Sequence, residues 1–130
     1  MQFFTLALLA LPAAILASPI TTTFEKRAPA VNCGGKSYTS TQVNRAVSYS
    51  NNDAAPSTTY PHTYNNYEGF NFGGYCSDSS YSEYPLTSTG YTGGSPGPDR
   101  VIVGQQSRTF CGAITHTGAS SYNGFVRCSY

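Results

Sequence analysis

The sequence contains no tryptophan, only two histidines, and four cysteines without a C-x-x-C pair. Because zinc sites are built from clustered cysteines and histidines, this scarcity argues against a zinc protein. Charged residues are also few, at 10% of the chain. Beyond residue 27 five basic side chains stand against five acidic ones, so this part carries no net charge. Without a strong positive field, it has no means of holding nucleic acid except at a specific local site.

Long apolar runs are missing except at the N-terminus, where residues 1–18 form an apolar stretch that ends in small residues. This is typical of a secretory signal, although the usual N-terminal positive charge is absent. The apolar run from Phe3 to Ala17 is interrupted by Pro12 and is too short to span a membrane comfortably. We therefore predict a signal peptide over residues 1–18 and not a membrane anchor.

A polar segment, residues 19–27, follows and ends in the dibasic pair Lys26–Arg27. Such a pair predicts cleavage by a secretory processing protease, the alternative being an ordinary exposed basic pair. Cleavage would leave a single domain over residues 28–130, small enough to need disulfides. The sequence has no N-x-[S/T] motif, so N-glycosylation is not expected. The secretory route permits disulfides, and three pairings are open to Cys33, Cys76, Cys111 and Cys128.

The domain is rich in glycine, serine, threonine, asparagine and tyrosine, which is typical of a loop-rich β protein. One helix is predicted, because Thr39 and Gln42 have the spacing of a capping box. Stop signals within residues 51–56 predict its end. The apolar residues that fall on one face of this helix are Val43, Ala46 and Val47.

Short β-like segments separated by glycine-rich and proline-rich turns follow the helix. They cover residues 60–64, 81–86, 100–103, 109–116 and 125–128. In a regular strand Tyr60, His62 and Tyr64 would share one face. Strands that follow one another through short connections favour an antiparallel sheet with the N-terminal helix on one face. The predicted class is α+β, without internal repeats.

The polar residues of these segments are more informative together than singly. A lone histidine in a strand is more often structural, Glu83 alone would lie on a solvated face, and Arg100 could be a surface cation. Both histidines, His62 and His116, nevertheless fall in β-like segments. Because the helix covers only one sheet face, such groups would meet on the opposite face. Two imidazoles, a carboxylate and a guanidinium suit phosphoryl transfer, as base, acid and charge clamp.

Five motifs carry a resemblance to a known family. They are YPHTYNNYEGF (60–70), YSEYPL (81–86), GGSPGPDRV (93–101), ITHTGAS (114–120) and NGFVRC (123–128). In order and spacing they resemble the fungal guanyl-specific ribonucleases of the T-one type. The likeness extends from about Cys33 to Cys128, which is nearly the whole predicted domain.

The resemblance implies a role for each catalytic candidate. Glu83 would be the general base that takes the proton of the ribose 2′-hydroxyl, and His116 the general acid that protonates the departing 5′-oxygen. His62 would help to hold the site and stabilise the charge of the base. A base and an acid on opposite sides of phosphorus suit in-line attack. The residues expected around the phosphate are Arg100, Tyr60 and Phe125, as cation, phenol and apolar wall.

The implied product is a 2′,3′-cyclic phosphate, which is then hydrolysed to a 3′-phosphate. Because the 2′-hydroxyl is an internal nucleophile, no metal or cofactor is required, and DNA is excluded as a substrate. The implied partner is single-stranded RNA. The mature protein is expected to be extracellular and monomeric, without membrane attachment.

Guanine recognition is expected in the segment YNNYEG, residues 64–69. A carboxylate at Glu68 would accept from guanine N1–H and N2–H₂, backbone N–H groups of 65–67 would meet O6 and N7, and two tyrosine rings would sandwich the base. The alternative is that asparagine and glycine here only form a strained turn. The residues expected to contact guanine are Tyr64, Asn65, Asn66, Tyr67, Glu68 and Asn123.

The sequence departs from the family pattern in two places. The stretch before Tyr60 is about five residues shorter than in the best-known member. Residues 120–125 are one residue longer, as in the purine-preferring branch, so the backbone that closes the base pocket is that of Tyr122 or Asn123. A broader purine preference is therefore the alternative to strict guanine specificity. The long basic loops of the cytotoxic relatives are absent.

The resemblance further implies the disulfides Cys33–Cys128 and Cys76–Cys111 and a cis Tyr60–Pro61 peptide bond. Two other functions compete with a ribonuclease. One is a ribonuclease-like protein that binds a host or competitor target without catalysis, against which the retained acid, base and cation argue. The other is a disulfide-bonded surface protein with no role on RNA, which would leave the five motifs unexplained.

Overall fold

The computed structural model describes residues 27–51, 57 and 59–130. The predicted signal peptide and all but the last residue of the predicted propeptide lie outside the described residues, as do residues 52–56 at the predicted end of the helix. Within the described part of the chain, no helix has the length and apolar character needed to cross a membrane.

One helix and seven strands make up the described chain. They are β1 (Val31–Cys33), β2 (Lys36–Tyr38), α1 (Ser40–Ser50), β3 (His62–Tyr64), β4 (Tyr81–Pro85), β5 (Asp99–Gly104), β6 (Phe110–Thr115) and β7 (Val126–Arg127). Strands β3 to β7 form one antiparallel sheet in sequence order, and β1 pairs with β2 in a separate two-stranded sheet. Asn32 of β1 also forms an antiparallel bridge with Ser129. The predicted α+β class, with one helix on a short-stranded antiparallel sheet, is confirmed.

The β1–β2 hairpin was not predicted. Its strands have three residues each, too few for alternation to be recognised. The signal that could have found it is the pair Gly34–Gly35, both with positive φ, as a two-residue hairpin turn requires. Gly34 is also required sterically, because a Cβ there would lie 2.5 Å from the Thr117 side chain.

Helix α1 begins with the predicted capping box. The Gln42 amide donates to Thr39 Oγ1 at 3.2 Å, and the Thr39 amide donates to Gln42 Oε1 at 2.8 Å. Val43 and Ala46 are buried, and Val47 packs beside them. The predicted apolar face of the helix is therefore the one that meets the sheet.

The two faces of the sheet carry different residues of the same strands. On β5, Val101 and Val103 belong to the cluster packed against the helix, whereas Ile102 belongs to a second cluster on the other side. Tyr84 of β4 joins the helix-side cluster, and Glu83 next to it faces the other way with Ile102 as its cross-strand partner. We call these the helix face and the open face.

Both expected disulfides are present, one in each cluster. Cys33–Cys128 joins the hairpin to the C-terminal segment within the helix-face cluster, and Cys76–Cys111 lies in the open-face cluster. The Tyr60–Pro61 bond is cis, as expected. Strand β3 starts only at His62, so the predicted strand over 60–64 was too long and alternation does not place Tyr60.

Candidate active site

The register of β3 against β4 places His62 directly opposite Glu83. Nε2 of His62 lies 3.2 Å from Oε1 of Glu83, in ion-pair contact. Glu83 is only 7% exposed, whereas the imidazole of His62 is exposed on its outer side. The pair is therefore a buried carboxylate with a histidine between it and solvent.

Burial raises the pKa of Glu83 above the ordinary value of 4.5. The nearby cations His62, Arg100 and His116 act in the opposite direction, and the carboxylate of Glu68 adds to the rise. A carboxylate with a raised pKa is a stronger proton acceptor than a solvated one, which suits a general base. The surrounding cations stabilise the ionised form of Glu83 and limit this rise.

Arg100 lies buried beside this pair at the start of β5, with 4% exposure. Its Nη1 donates to the carbonyls of Gly97 at 2.7 Å and Asp99 at 2.9 Å. Its Nη2 reaches the Tyr60 hydroxyl at 3.4 Å, and the guanidinium lies 5.5 Å from the centre of the Tyr60 ring. Nε has no hydrogen-bond partner among the described residues. The guanidinium is thus held in place with donor capacity left for an anion.

Tyr60 contacts both the Arg100 guanidinium and the His62 imidazole that pairs with Glu83. Its ring stacks on His62 at 4.4 Å between centroids, and it meets Tyr84 and Tyr91 edge-on. The phenol is thereby fixed near Arg100 although Tyr60 lies outside the strand. The expected meeting of phenol, imidazole and guanidinium is present in the structure.

His116 follows β6 and is oriented by its own loop. Its Nδ1 lies 2.7 Å from the Gly124 carbonyl oxygen, which can only accept a hydrogen bond, so Nδ1 carries a proton. The ring stacks on Phe125 with centroids 3.9 Å apart and planes 25° apart. With Nδ1 committed, Nε2 is the nitrogen that remains to exchange a proton with substrate.

Asp99, to which sequence analysis assigned no role, lies under this site. It is 1% exposed and accepts a hydrogen bond from the Tyr38 hydroxyl, while its Oδ1 has no partner among the described residues. A buried carboxylate next to the buried Arg100 is costly unless it is paired. The sequence signal for Asp99 was the adjacent acidic and basic pair in the motif GPDRV. Asp99 was missed because this motif was compared with the family only as a whole.

The segment 64–70 forms a tight loop closed by Asn66. Asn66 has φ 54°, its Oδ1 accepts from the Phe70 amide at 2.8 Å, and its Nδ2 donates to the Phe70 carbonyl at 2.9 Å. The Gly69 amide donates to the Asn66 carbonyl at 3.0 Å. The turn that was the alternative to guanine recognition in the sequence analysis is therefore present. It leaves Asn65 and Tyr67 exposed to solvent.

Two tyrosines of this loop have opposite environments. Tyr64 is 7% exposed, with its ring edge-on to Phe72 and Phe125, and its hydroxyl donates to Glu68 Oε2 at 2.8 Å. Tyr67 is 89% exposed. Because each carboxylate oxygen has two lone pairs, Glu68 keeps capacity for further donors. The hydrogen bond from Tyr64 orients that carboxylate.

Beyond the acid, a cleft of about 370 Å³ opens beside the loop 117–124. It is lined by Ser95, Pro96, Gly97, Pro98, Arg100, His116, Tyr122 and Asn123. Asn123 and Tyr122, the two candidates for closing the base pocket, both lie on the wall of this cleft.

A metal site has no support from the donor groups of the described residues. Their one compact set of potential ligands is Cys76, Asp78 and Cys111. The two cysteines are joined in a disulfide and have no free thiolate to offer.

Comparison with known proteins agrees with this arrangement. A family model described as ribonuclease matches residues 26–129. The chain is 64% identical to guanyl-specific ribonuclease U1 of Ustilago sphaerogena over 102 residues, covering 77% of this chain and 95% of that protein. It is 51% identical to the extracellular guanyl-specific ribonuclease Fl1 of Gibberella baccata over 106 residues, which are 77% and 96% of the two chains. Guanyl-specific ribonuclease T1 of Aspergillus oryzae is 42% identical over 135 residues, 98% and 97% of the two chains. The chain therefore belongs to the fungal guanyl-specific ribonuclease family that its motifs resemble.

Proposed function

We propose that the mature chain is a secreted, monomeric endoribonuclease that cleaves single-stranded RNA on the 3′ side of guanosine. The observation that carries the proposal is the pairing of the buried Glu83 carboxylate with His62 on the open face, beside the buried guanidinium of Arg100. His116, with only Nε2 left for proton exchange, supplies the acid.

The first step is transesterification. Glu83 accepts the proton of the ribose 2′-hydroxyl as the 2′-oxygen attacks phosphorus, and His116 donates its Nε2 proton to the 5′-oxygen as the P–O5′ bond breaks. The charge that develops on the phosphoryl oxygens faces the guanidinium of Arg100 and the hydroxyl of Tyr60. The products are a 2′,3′-cyclic phosphate and a strand with a free 5′-hydroxyl.

Hydrolysis of the cyclic phosphate reverses the two roles. His116, now neutral, takes a proton from water as the water attacks phosphorus, and Glu83 returns a proton to the departing 2′-oxygen. The product is a 3′-phosphate, and both side chains regain their starting protonation. Since the nucleophile of the first step belongs to the substrate, no metal ion is needed and DNA is not cleaved.

Guanine selection is proposed for the exposed side of the 64–70 loop. Glu68, oriented by Tyr64, would accept from guanine N1–H and N2–H₂, and backbone N–H groups of Asn65 to Tyr67 would meet O6 and N7. Of the two tyrosines expected to sandwich the base, Tyr67 has the exposed ring that can cover it, while Tyr64 is 7% exposed and packs edge-on against Phe72 and Phe125. Asn123 would close the pocket through its backbone.

Secretion and processing at Arg27 are also proposed. The two disulfides suit an oxidising compartment. The domain is tied down from its first residue, because Ala28 is 2% exposed and its amide nitrogen lies 3.2 Å from Asn44 Oδ1. Mass spectrometry of the secreted protein should find Ala28 as the N-terminus.

The decisive experiment is digestion of the four homopolymers and of guanosine dinucleotides in the presence of a chelator. We expect rapid cleavage of poly(G) sequences in single-stranded form and of GpA, with guanosine 2′,3′-cyclic phosphate appearing before the 3′-phosphate. Equal cleavage of poly(A) would establish the broader purine preference instead. Loss of activity with chelator, or absence of the cyclic intermediate, would contradict the mechanism.

A further inference from the structure

The β1–β2 hairpin carries a lysine that has no part in the proposed reaction. Lys36, the first residue of β2, is exposed to solvent. Its ammonium group lies 5.4 Å from the centre of the Tyr38 ring. Among the described residues, no carboxylate forms an ion pair with it. The hairpin therefore presents a cation that an aromatic ring supports from below and that is free to meet an anion from solvent.

The hairpin is fixed against the end of the sheet at which the catalytic groups lie. Strand β6 ends directly before His116. A Cβ at Gly34, in the hairpin turn, would lie 2.5 Å from the side chain of Thr117. Behind the turn, the Tyr38 hydroxyl donates to Asp99 at the start of β5. The turn that leads into β2 therefore contacts the residue next to the acid.

The order of the strands gives the RNA a direction across the sheet. Glu83 lies on β4, Arg100 on β5, and His116 directly after β6. The 2′-hydroxyl at Glu83 belongs to the guanosine, whereas the 5′-oxygen at His116 belongs to the nucleoside on its 3′ side. The RNA therefore runs in its 5′ to 3′ direction from β4 toward β6. Beyond β6 lies β7, and the hairpin adjoins this side through the bridge between Asn32 and Ser129.

We propose that Lys36 binds the phosphate on the 3′ side of the leaving nucleoside, one phosphate beyond the bond that is cleaved. This inference rests on the proposed ribonuclease function and extends it to substrates longer than a dinucleotide. A lysine ammonium binds a phosphate as a point charge, and a phosphate contact positions the strand without reading its bases. Because residues 28–130 carry no net charge, the attraction is local and not the effect of a general positive field.

A structural role is the alternative for this lysine. Its ammonium lies over Tyr38, whose hydroxyl donates to the buried Asp99 next to Arg100. In that role Lys36 would only offset the buried negative charge of Asp99. Its removal would then disturb the neighbouring guanidinium and affect every substrate to the same extent.

The test compares substrates that differ only in the presence and position of a second phosphate. GpA has the cleaved phosphodiester alone, GpAp adds a phosphate on the 3′ side of the leaving adenosine, and pGpA adds one on the 5′ side of the guanosine. At low ionic strength Lys36→Ala should lower kcat/KM on GpAp by about threefold, as for an exposed ion pair, and by less than about 1.5-fold on GpA and pGpA. For GpAp, the slope of log kcat/KM against log salt concentration should become shallower by about 0.7, the value for one phosphate contact on a single strand.

Two variants control for a general effect of charge. Lys36→Arg keeps the cation and should keep the ratio of kcat/KM on GpAp to that on GpA. Arg108→Ala removes an exposed cation from the β5–β6 turn, at the opposite end of the sheet from His116, and should leave the same ratio unchanged.

Each other outcome would contradict the proposal. Equal losses on GpA, GpAp and pGpA would overturn it in favour of the structural role of Lys36. Equal losses on GpAp and pGpA alone, the same loss in Arg108→Ala, or no loss on GpAp would also overturn it. Failure of the unmodified enzyme to cleave GpA would contradict the proposed function and this subsite with it, whereas normal cleavage of GpA without the effect on GpAp would contradict the subsite alone.

Discussion

The two faces of the sheet use alternate residues of the same strands for different purposes. On the helix face, Tyr84 and Val101 pack against Val43 in a buried apolar cluster. On the open face, Glu83 and Arg100 are also buried, at 7% and 4% exposure, but carry charge. Burying a charge costs free energy. The apolar packing of the helix face must therefore offset the cost of burying the charges on the open face. Stability should therefore depend mainly on one face and activity on the other.

The largest expected effect comes from removing the acid. His116→Ala should lower kcat/KM on GpA by about 10²–10⁴-fold, because proton transfer to the 5′-oxygen is lost. The free energy of unfolding should fall by no more than about 1.5 kcal/mol, for one hydrogen bond to the Gly124 carbonyl.

The matched change on the helix face is Val43→Ala, at a residue that is 0% exposed. It should lower the unfolding free energy by about 1–3 kcal/mol and leave kcat/KM per folded molecule unchanged. Urea unfolding and dinucleotide kinetics on both variants test the separation. Comparable activity losses in the two enzymes would show that the faces are not independent.

The two disulfides provide a second test of the difference between the helix face and the open face, because each belongs to one cluster. Replacing Cys33 and Cys128 by alanine opens a loop whose ends are 95 residues apart in sequence. Replacing Cys76 and Cys111 opens a loop whose ends are 35 residues apart. Chain entropy predicts losses of about 4.7 and about 3.8 kcal/mol. Only the second pair lies in the cluster beneath the active site, so only that variant should also lose activity in its folded fraction. Activity lost from the first pair alone would reverse this assignment.

Glu68→Gln tests base selection at the edge of the open face. The amide keeps the shape of the side chain but places a donor against guanine N1–H or N2–H₂. Discrimination between GpA and ApA should fall by about 1–3 kcal/mol, the cost of one unmatched polar contact. The ratio of the two kcat/KM values measures it. If both substrates were cleaved more slowly by the same factor, Glu68 would not select the base.

His62→Gln should change the pH dependence of the reaction. Burial raises the pKa of Glu83, and the nearby His62 cation opposes that rise. Removing the cation raises the pKa further, so the acidic limb of the kcat/KM profile should move to higher pH. A limb that stayed in place, or moved to lower pH, would show that His62 does not act on the charge of Glu83.

The smallest expected effect is on stability at neutral pH. Because the pKa of Glu83 is higher in the fold than in the unfolded chain, its ionisation destabilises the fold as pH rises through the folded-state value. Glu83→Gln cannot ionise. It should unfold at a higher urea concentration than the unmodified protein at pH 7, and the difference should vanish below the unfolded-state pKa. An inactive Glu83→Gln enzyme that was less stable at pH 7 would contradict the direction of the shift.

How much could be predicted from the sequence depended on the range of the interactions. The capping box at Thr39 and the apolar face of α1 are local patterns within one turn or two, and both were correct. The β1–β2 hairpin was missed because its strands are too short to show a period. The strand predicted over 60–64 was too long because Tyr60 and Pro61 come before the pairing with β4 begins.

The sequence predicted which residues form the site, whereas their contacts and burial depend on the fold. The motifs named Glu83, His62, His116 and Arg100, and the register of β3 and β4 then brought the first two together. The burial of Tyr64 and the exposure of Tyr67 could not be predicted from the sequence. Tyr64 is covered because Phe72 and Phe125 pack against its ring, and only the fold brings these residues together.

The fold class, the family and the identity of the candidate acid, base and cation could be predicted from the sequence, because these depend on local periodicity and on motifs in order. Three features could be seen only in the folded chain: the burial of Glu83, the hydrogen bond between His116 Nδ1 and Gly124, and the position of Tyr122 at the cleft beside that histidine. Burial, hydrogen-bond direction and the side of a cleft depend on distances between residues far apart in the chain, which no local pattern contains.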